Sequence, residues 1–199
     1  MQTTAQRGLA TVKYRIDPSA SRFTVQAFAT GLLSSFGHNP TIAIRDFEGE
    51  AQSGPENFEN ASLRFTVRTT SMEVMDEMKK DDRLRLEEEM YDKVLDVKQY
   101  PTAAFTSEQI TVQKLGNDFF QAHVSGELSF HGVRHNHSFD ARITRMGTIL
   151  RISGEFSLRQ SDYGIKPFKA AAGALRLKDE VKFSCELVAR QQEEAKTGA

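Results

Sequence analysis

Three of the five histidines crowd into one short stretch, His131-Gly132-Val133-Arg134-His135-Asn136-His137. His135 and His137 lie two residues apart, which in a strand puts both on one face, workable spacing for two metal ligands. His38 or His131 would complete such a site if the fold brought either one close. His137 also shares its parity with Phe139, Ala141 and Ile143. Two further readings therefore stand beside metal binding: a neutral imidazole satisfied in an apolar interior, or one that hydrogen-bonds a ligand headgroup. The remaining chemistry is sparse. Cys185 is the single cysteine, so no internal disulfide forms, and it sits on the oily parity of Val181, Phe183 and Leu187 as a small buried hydrophobe. Glu87, Glu88 and Glu89 are consecutive, which scatters them around a helix rather than converging them on a cation. Asp162, before Tyr163-Gly164, reads as the brace of a turn. No Gly-x-Ser-x-Gly, phosphate loop or dinucleotide fingerprint is present, and no enzyme is expected.

The elements that must position these side chains are strands. Fourteen phenylalanines and no tryptophan fall mostly on alternate positions. The clearest run puts Phe120, Ala122, Val124, Gly126, Leu128 and Phe130 on one face and Gln121, His123, Ser125, Glu127 and Ser129 on the other. The pattern predicts strands at 14–16, at Phe23, Val25 and Ala27, and at 41–51, 61–70, 103–113, 118–130, 134–145, 148–159 and 178–190. Residues 76–97 instead carry Leu84, Leu86, Met90, Val94 and Leu95 at helical spacing among dense charges, with no glycine or proline over 76–95. This predicts one helical insertion with a solvated charged face, ended at Tyr100-Pro101. The expected fold is mostly β: a single antiparallel barrel of about eight strands over residues 12–190. Residues 1–11 and 191–199 read as flexible termini.

Formal charge is −1 over 199 residues, so no general attraction to nucleic acid is expected. No apolar stretch approaches the ~20 residues of a transmembrane segment. Residues 1–10 lack the apolar core of a secretory signal, which predicts a cytoplasmic protein; a trimmed start would make it periplasmic.

Several stretches resemble one family, the YceI-like polyisoprenoid-binding proteins. They are Tyr14-Arg15-Ile16-Asp17, Asp46-Phe47-Glu48-Gly49, Val67-Arg68-Thr69-Thr70-Ser71-Met72 and Tyr100-Pro101-Thr102-Ala103-Ala104-Phe105-Thr106-Ser107, followed by Gly126-Glu127-Leu128-Ser129-Phe130-His131-Gly132-Val133, Arg159-Gln160-Ser161-Asp162-Tyr163-Gly164-Ile165 and the closing strand over 180–188. The resemblance implies a lipocalin-like barrel, a homodimer, that holds a prenyl quinone or polyprenyl lipid as its ligand and needs no other cofactor. The chain departs from the family pattern at Ala20, where many relatives carry histidine, and at Arg83-Leu84, in place of a His-Leu pair.

Strand parity predicts a lumen lined by Phe23, Val25, Ala27, Phe65, Val67, Phe105, Ile110, Val124, Leu128, His137, Phe139, Ile143, Ile152, Phe156, Val181 and Phe183. His38 is a candidate for the barrel mouth. By parity alone these side chains could equally fill a small barrel completely; the resemblance is what turns the lumen into a binding site for an isoprenoid tail. The leading expectation is a carrier, reservoir or scavenger of such a lipid. The alternative is a histidine-based metal or cofactor protein, an enzyme included, on the same barrel.

Overall fold

The alternating runs form strands that turn one parity inward. In the computed structural model, which describes residues 11–30, 39–170 and 175–193, they make a closed antiparallel barrel of eight strands. In chain order the strands are β1 (Val12–Ile16), β2 (Arg22–Gln26), β3 (Ala29–Thr30), β4 (Thr41–Ile44), β5 (Phe47–Ser53), β6 (Ser62–Arg68), β7 (Met72–Val74), β8 (Thr102–Lys114), β9 (Phe119–Phe130), β10 (Val133–Met146), β11 (Ile149–Arg159), β12 (Lys169–Ala170), β13 (Leu175–Leu177) and β14 (Glu180–Gln191). A helix, α1 (Lys80–Glu89), runs on into a wider π-helical turn at Met90–Val94.

The wall follows the order β1–β5–β6–β8–β9–β10–β11–β14 and closes where β14 meets β1. β14 pairs with β1 at residues 189–191 and with β2 at 182–186, so β1 and β2 lie end to end along one edge. β4 and β5, then β6 and β7, continue the wall in the same two-piece fashion. The three breaks fall side by side and are bridged by polar side chains and main chain. At the first, Asp17 N–H donates to Val188 O at 2.8 Å, and Val188 N–H donates to Ser21 Oγ at 2.9 Å. At the second, where one strand was expected over 41–51, Arg45 N–H donates to Ser71 O and Asp46 N–H to Ser71 Oγ. At the third, Thr69 is fully buried, its N–H donating to Pro101 O and its hydroxyl to Tyr100 O. Backbone groups that leave the ladder thus find side-chain or loop partners, as buried groups must.

Asp17 also staples the seam electrostatically. Its carboxylate accepts from Ser19 N–H and Ser19 Oγ and from Arg190 Nε at 2.8 Å. The Ser19 hydrogen bonds, then Arg190, hold this carboxyl below its ordinary 3.8. The stabilisation is present above that value and is lost as pH falls through the depressed one.

β9 and β10 join through His131 and Gly132, both at positive φ (49° and 77°), the geometry a two-residue hairpin turn requires. Gly126 is needed for a different reason: a Cβ there would meet Thr106 O at 2.2 Å, where β8 shifts register beside it. β3, β12 and β13 form a small separate sheet that the alternation did not reveal.

The helical insertion is shorter than the expected 76–97. It runs from Lys80 to Val94, Leu84 points outward at 53 % exposure, and the buried apolar residues are Met90 in its last turn and Leu95 and Val97 just beyond it. Nor are its charges only a solvated face. β8 pairs with β6 only from Thr102 onward, which leaves the outer edge of β7 without a strand among the described residues. The insertion supplies the missing partners: Glu87 Oε1 accepts from Val74 N–H at 2.9 Å, and the Tyr91 hydroxyl donates to Met72 O. Glu87→Ala is therefore expected to leave a buried N–H unpaired and to destabilise the fold by about 1–3 kcal/mol. Urea denaturation checks this, with exposed Glu88→Ala expected within about 0.5 kcal/mol of the parent.

Candidate functional site

The barrel interior is not filled. A cavity of about 200 Å³ runs through it, with walls almost entirely of apolar side chains. Phe23, Phe65, Val67, Phe105, Ile110, Val124, Leu128, His137, Phe139, Ile143, Ile152, Phe156 and Phe183 line it as parity predicted. Val25, Ala27 and Val181 do not, although they were expected there. Val25 and Ala27 are buried beyond the cavity at the end of β2, where Val25 faces Phe183 and Ile42 across the ladder. Val181 packs against the apolar core near the start of β14, where it faces Leu158. Parity sets which face a side chain takes, but not how far along the barrel the empty space extends.

The rings are arranged to hold one another rather than to fill the void. Phe156 stacks on Phe183 with centroids 4.8 Å apart, Phe139 stacks on Phe156 at 5.4 Å, and Phe23 meets Phe65 edge-on at 5.6 Å. Such pairs add about 0.5–1.5 kcal/mol beyond their burial and fix the wall geometry.

Phe58, which sequence reasoning missed, closes the floor. It lies in the loop between β5 and β6, takes a left-handed backbone (φ 60°), and sets its ring edge-on to Phe120 at 4.9 Å. Arg145 clamps it: the guanidinium lies 5.2 Å from the Phe120 ring and 5.9 Å from Phe58, and Nη1 donates to Pro55 O and Glu56 O. The only signal in the sequence was a lone phenylalanine in an otherwise polar loop.

The histidines separate into two kinds. His131 Nδ1–H donates to Tyr163 O at 3.0 Å and His135 Nε2–H to Asp162 O at 2.9 Å, so both brace the turn after β11. His137 is different. Its Nε2 is buried and has no hydrogen-bond partner, and its ring packs 5.3 Å from Phe156. Leaving such an atom unpaired costs about 1–3 kcal/mol. His38 lies outside the described residues. Among the described residues no group of three or more His, Cys, Asp or Glu side chains is placed to hold a metal ion. Cys185 also lines the cavity, and burial pushes its thiol up to about 11, which leaves it a poor nucleophile at neutral pH.

A family model for the YceI-like domain matches residues 14–189, nearly the whole chain. The chain belongs to the YceI-like family. Solved structures share its fold at low sequence identity. BcnA from Burkholderia cenocepacia matches with a TM-score of 0.68 at 17 % identity, over 87 % of this chain and 98 % of that one. A polyisoprenoid-binding domain from Saccharophagus degradans matches with a TM-score of 0.64 at 15 % identity, over 90 % and 98 %. The YceI protein of Campylobacter jejuni matches with a TM-score of 0.60 at 18 % identity, over 79 % and 88 %. No curated protein matches the chain significantly. In this YceI-like chain no helix among the described residues is long and apolar enough to cross a membrane.

Burial holds the His137 imidazole below its ordinary 6.5. The unfolded chain therefore binds a proton near 6.5 that the folded barrel resists, so stability falls as pH drops from 6.5 toward the depressed value. In His137→Phe this part of the acid sensitivity is expected to vanish. Urea denaturation at several pH values between about 7 and 5 measures it; equal slopes in parent and variant would contradict the assignment.

Proposed function

We propose that this protein binds a long-chain isoprenoid lipid, a prenyl quinone or polyprenyl lipid, in its barrel and serves as its carrier, reservoir or scavenger rather than as an enzyme. The observation that carries the reading is a cavity of about 200 Å³ inside the barrel, walled almost entirely by apolar side chains, with the unpartnered His137 imidazole at its edge. Such a void stays dry and accepts apolar guests. Side chains that face an empty space lack packing partners on that side, so an occupant that restores those contacts stabilises the fold. A prenyl chain suits this wall because it offers only methyl and methylene surface, each CH₂ gaining ~0.8 kcal/mol on burial. Family membership and the name of the Saccharophagus neighbour support the same ligand class. The homodimer belongs to the proposal too, and sedimentation equilibrium tests it.

Mass spectrometry of an organic extract from protein purified without detergent is expected to show one prenyl lipid in stoichiometric amount. Delipidated protein should gain roughly 5–10 °C in melting temperature with a prenyl quinone at a hundredfold excess over Kd, following about 2.7 kcal/mol of linkage. Phe156→Arg, which puts a guanidinium into the ring stack, is expected to abolish that gain while circular dichroism still reports a folded barrel. A folded variant with the full shift would sink the lumen assignment.

A further inference from the structure

β10 and β11 are neighbours in the wall, yet they pair only where residues 141–146 face 149–154. Beyond that point each strand keeps its other neighbour: β10 stays on β9 up to the hairpin at Val133, and β11 stays on β14 up to Arg159. The two therefore part, and the wall opens sideways. The opening is a second cavity, of about 290 Å³, whose walls are mainly polar, in contrast to the lumen. His137 and Leu158 line both cavities, so the polar opening and the apolar lumen meet at these two side chains.

His137 is where the chemistry changes. Its ring lies among Phe139 and Phe156, while Nε2, buried and unpartnered, marks the boundary with the opening. His135, one step further out, already uses its Nε2–H on Asp162 O. The ionised groups that complete the opening are two carboxylates, Asp162 and Glu180, and one guanidinium, Arg159. Their sum is one negative charge, which opposes an anionic headgroup and tolerates a neutral one.

We propose that the parted seam between β10 and β11 is the headgroup site of the bound isoprenoid, and that it selects a neutral oxygen headgroup, a quinone carbonyl or a hydroxyl, hydrogen-bonded to His137 Nε2. The tail then lies in the lumen and the seam is the lateral port through which the headgroup reaches solvent. A neutral imidazole donates from one nitrogen and accepts at the other, so it serves a carbonyl or a hydroxyl by choice of tautomer. This inference rests on the lipid-binding reading above.

The test compares four probes with one tail: a prenyl benzoquinone, the prenyl alcohol, the prenyl diphosphate and the headless prenyl hydrocarbon. Calorimetric titration of delipidated protein gives each Kd. The quinone and the alcohol are expected to bind about fivefold to tenfold tighter than the hydrocarbon, the worth of one hydrogen bond, and the diphosphate weaker than the alcohol. In His137→Phe the advantage of quinone over hydrocarbon is expected to disappear, and in His137→Gln, which restores a donor and an acceptor, to return in part. Asp162→Asn with Glu180→Gln is expected to bring diphosphate affinity up toward that of the alcohol. Thermal melts confirm that each variant is folded. A hydrocarbon that binds as well as the quinone, a His137→Phe variant that keeps the preference, or a diphosphate that binds tightest would overturn the seam assignment while leaving lipid binding intact. No binding of any of the four would overturn both.

Discussion

The barrel depends on its last strand having two partners on one edge. β14 runs against β11 along its full length, while its opposite edge meets β2 first and β1 afterwards. The chain must leave the ladder between those two short strands without leaving β14 unsatisfied. Asp17 and Ser21 solve this from within the interruption, one by its main-chain N–H and the other by its hydroxyl, and Arg190 holds the Asp17 carboxylate in place. Were β14 to slip by one residue, Phe183, Cys185 and Leu187 would turn outward and the alternation of the closing strand would face the wrong side. The polar knot on the outside therefore maintains the apolar register on the inside.

Once closed, the wall need not be filled, and the two ends show how the void is defended. At the floor, Arg145 reaches across to hold Phe58 over Phe120, so a loop acts as a stopper. At the opposite end, β7 has no strand on its outer edge among the described residues, and Glu87 and Tyr91 supply hydrogen bonds that a longer β8 would have made. The helical insertion is thus part of the wall as well as its cover. Between β10 and β11 the strands part as well, and there the side chains at the gap change from apolar to polar.

Much of this was legible in the sequence because alternation is a local property. Phe120 through Phe130 announce a two-faced strand whatever lies around them, and the ordered motifs from Tyr14 to Val188 carry the family. The candidate site was legible only in outline. Parity marks Val25, Ala27 and Val181 as inward, but the position of the void along the axis depends on residues far away in sequence. Arg45 and Asp46 hold no glycine or proline to announce a break, and the break exists because Ser71 and Arg68 receive the freed main chain. Phe58 and Glu87 sit in polar surroundings, where a single ring or carboxylate looks like surface. Their partners, Arg145 and Val74, lie on other elements, and no local pattern pairs them.

The closing contacts join residues that are far apart along the chain: Ser21 reaches Val188 and Asp17 reaches Arg190, 167 and 173 positions away. The entropy of closing so long a loop rises only slowly with length, so the finished barrel is little burdened by it, but the search for the pairing comes late and slowly. Without that pairing β1 and β14 would each present a bare edge, and the inward-facing phenylalanines would lose the closed wall around them. Each edge is built to accept the other, and it does not distinguish its own molecule's partner from a neighbour's. At high concentration the same recognition that seals one barrel can join two chains, an exchange of β14 between copies being the geometrically cheapest way to misassemble.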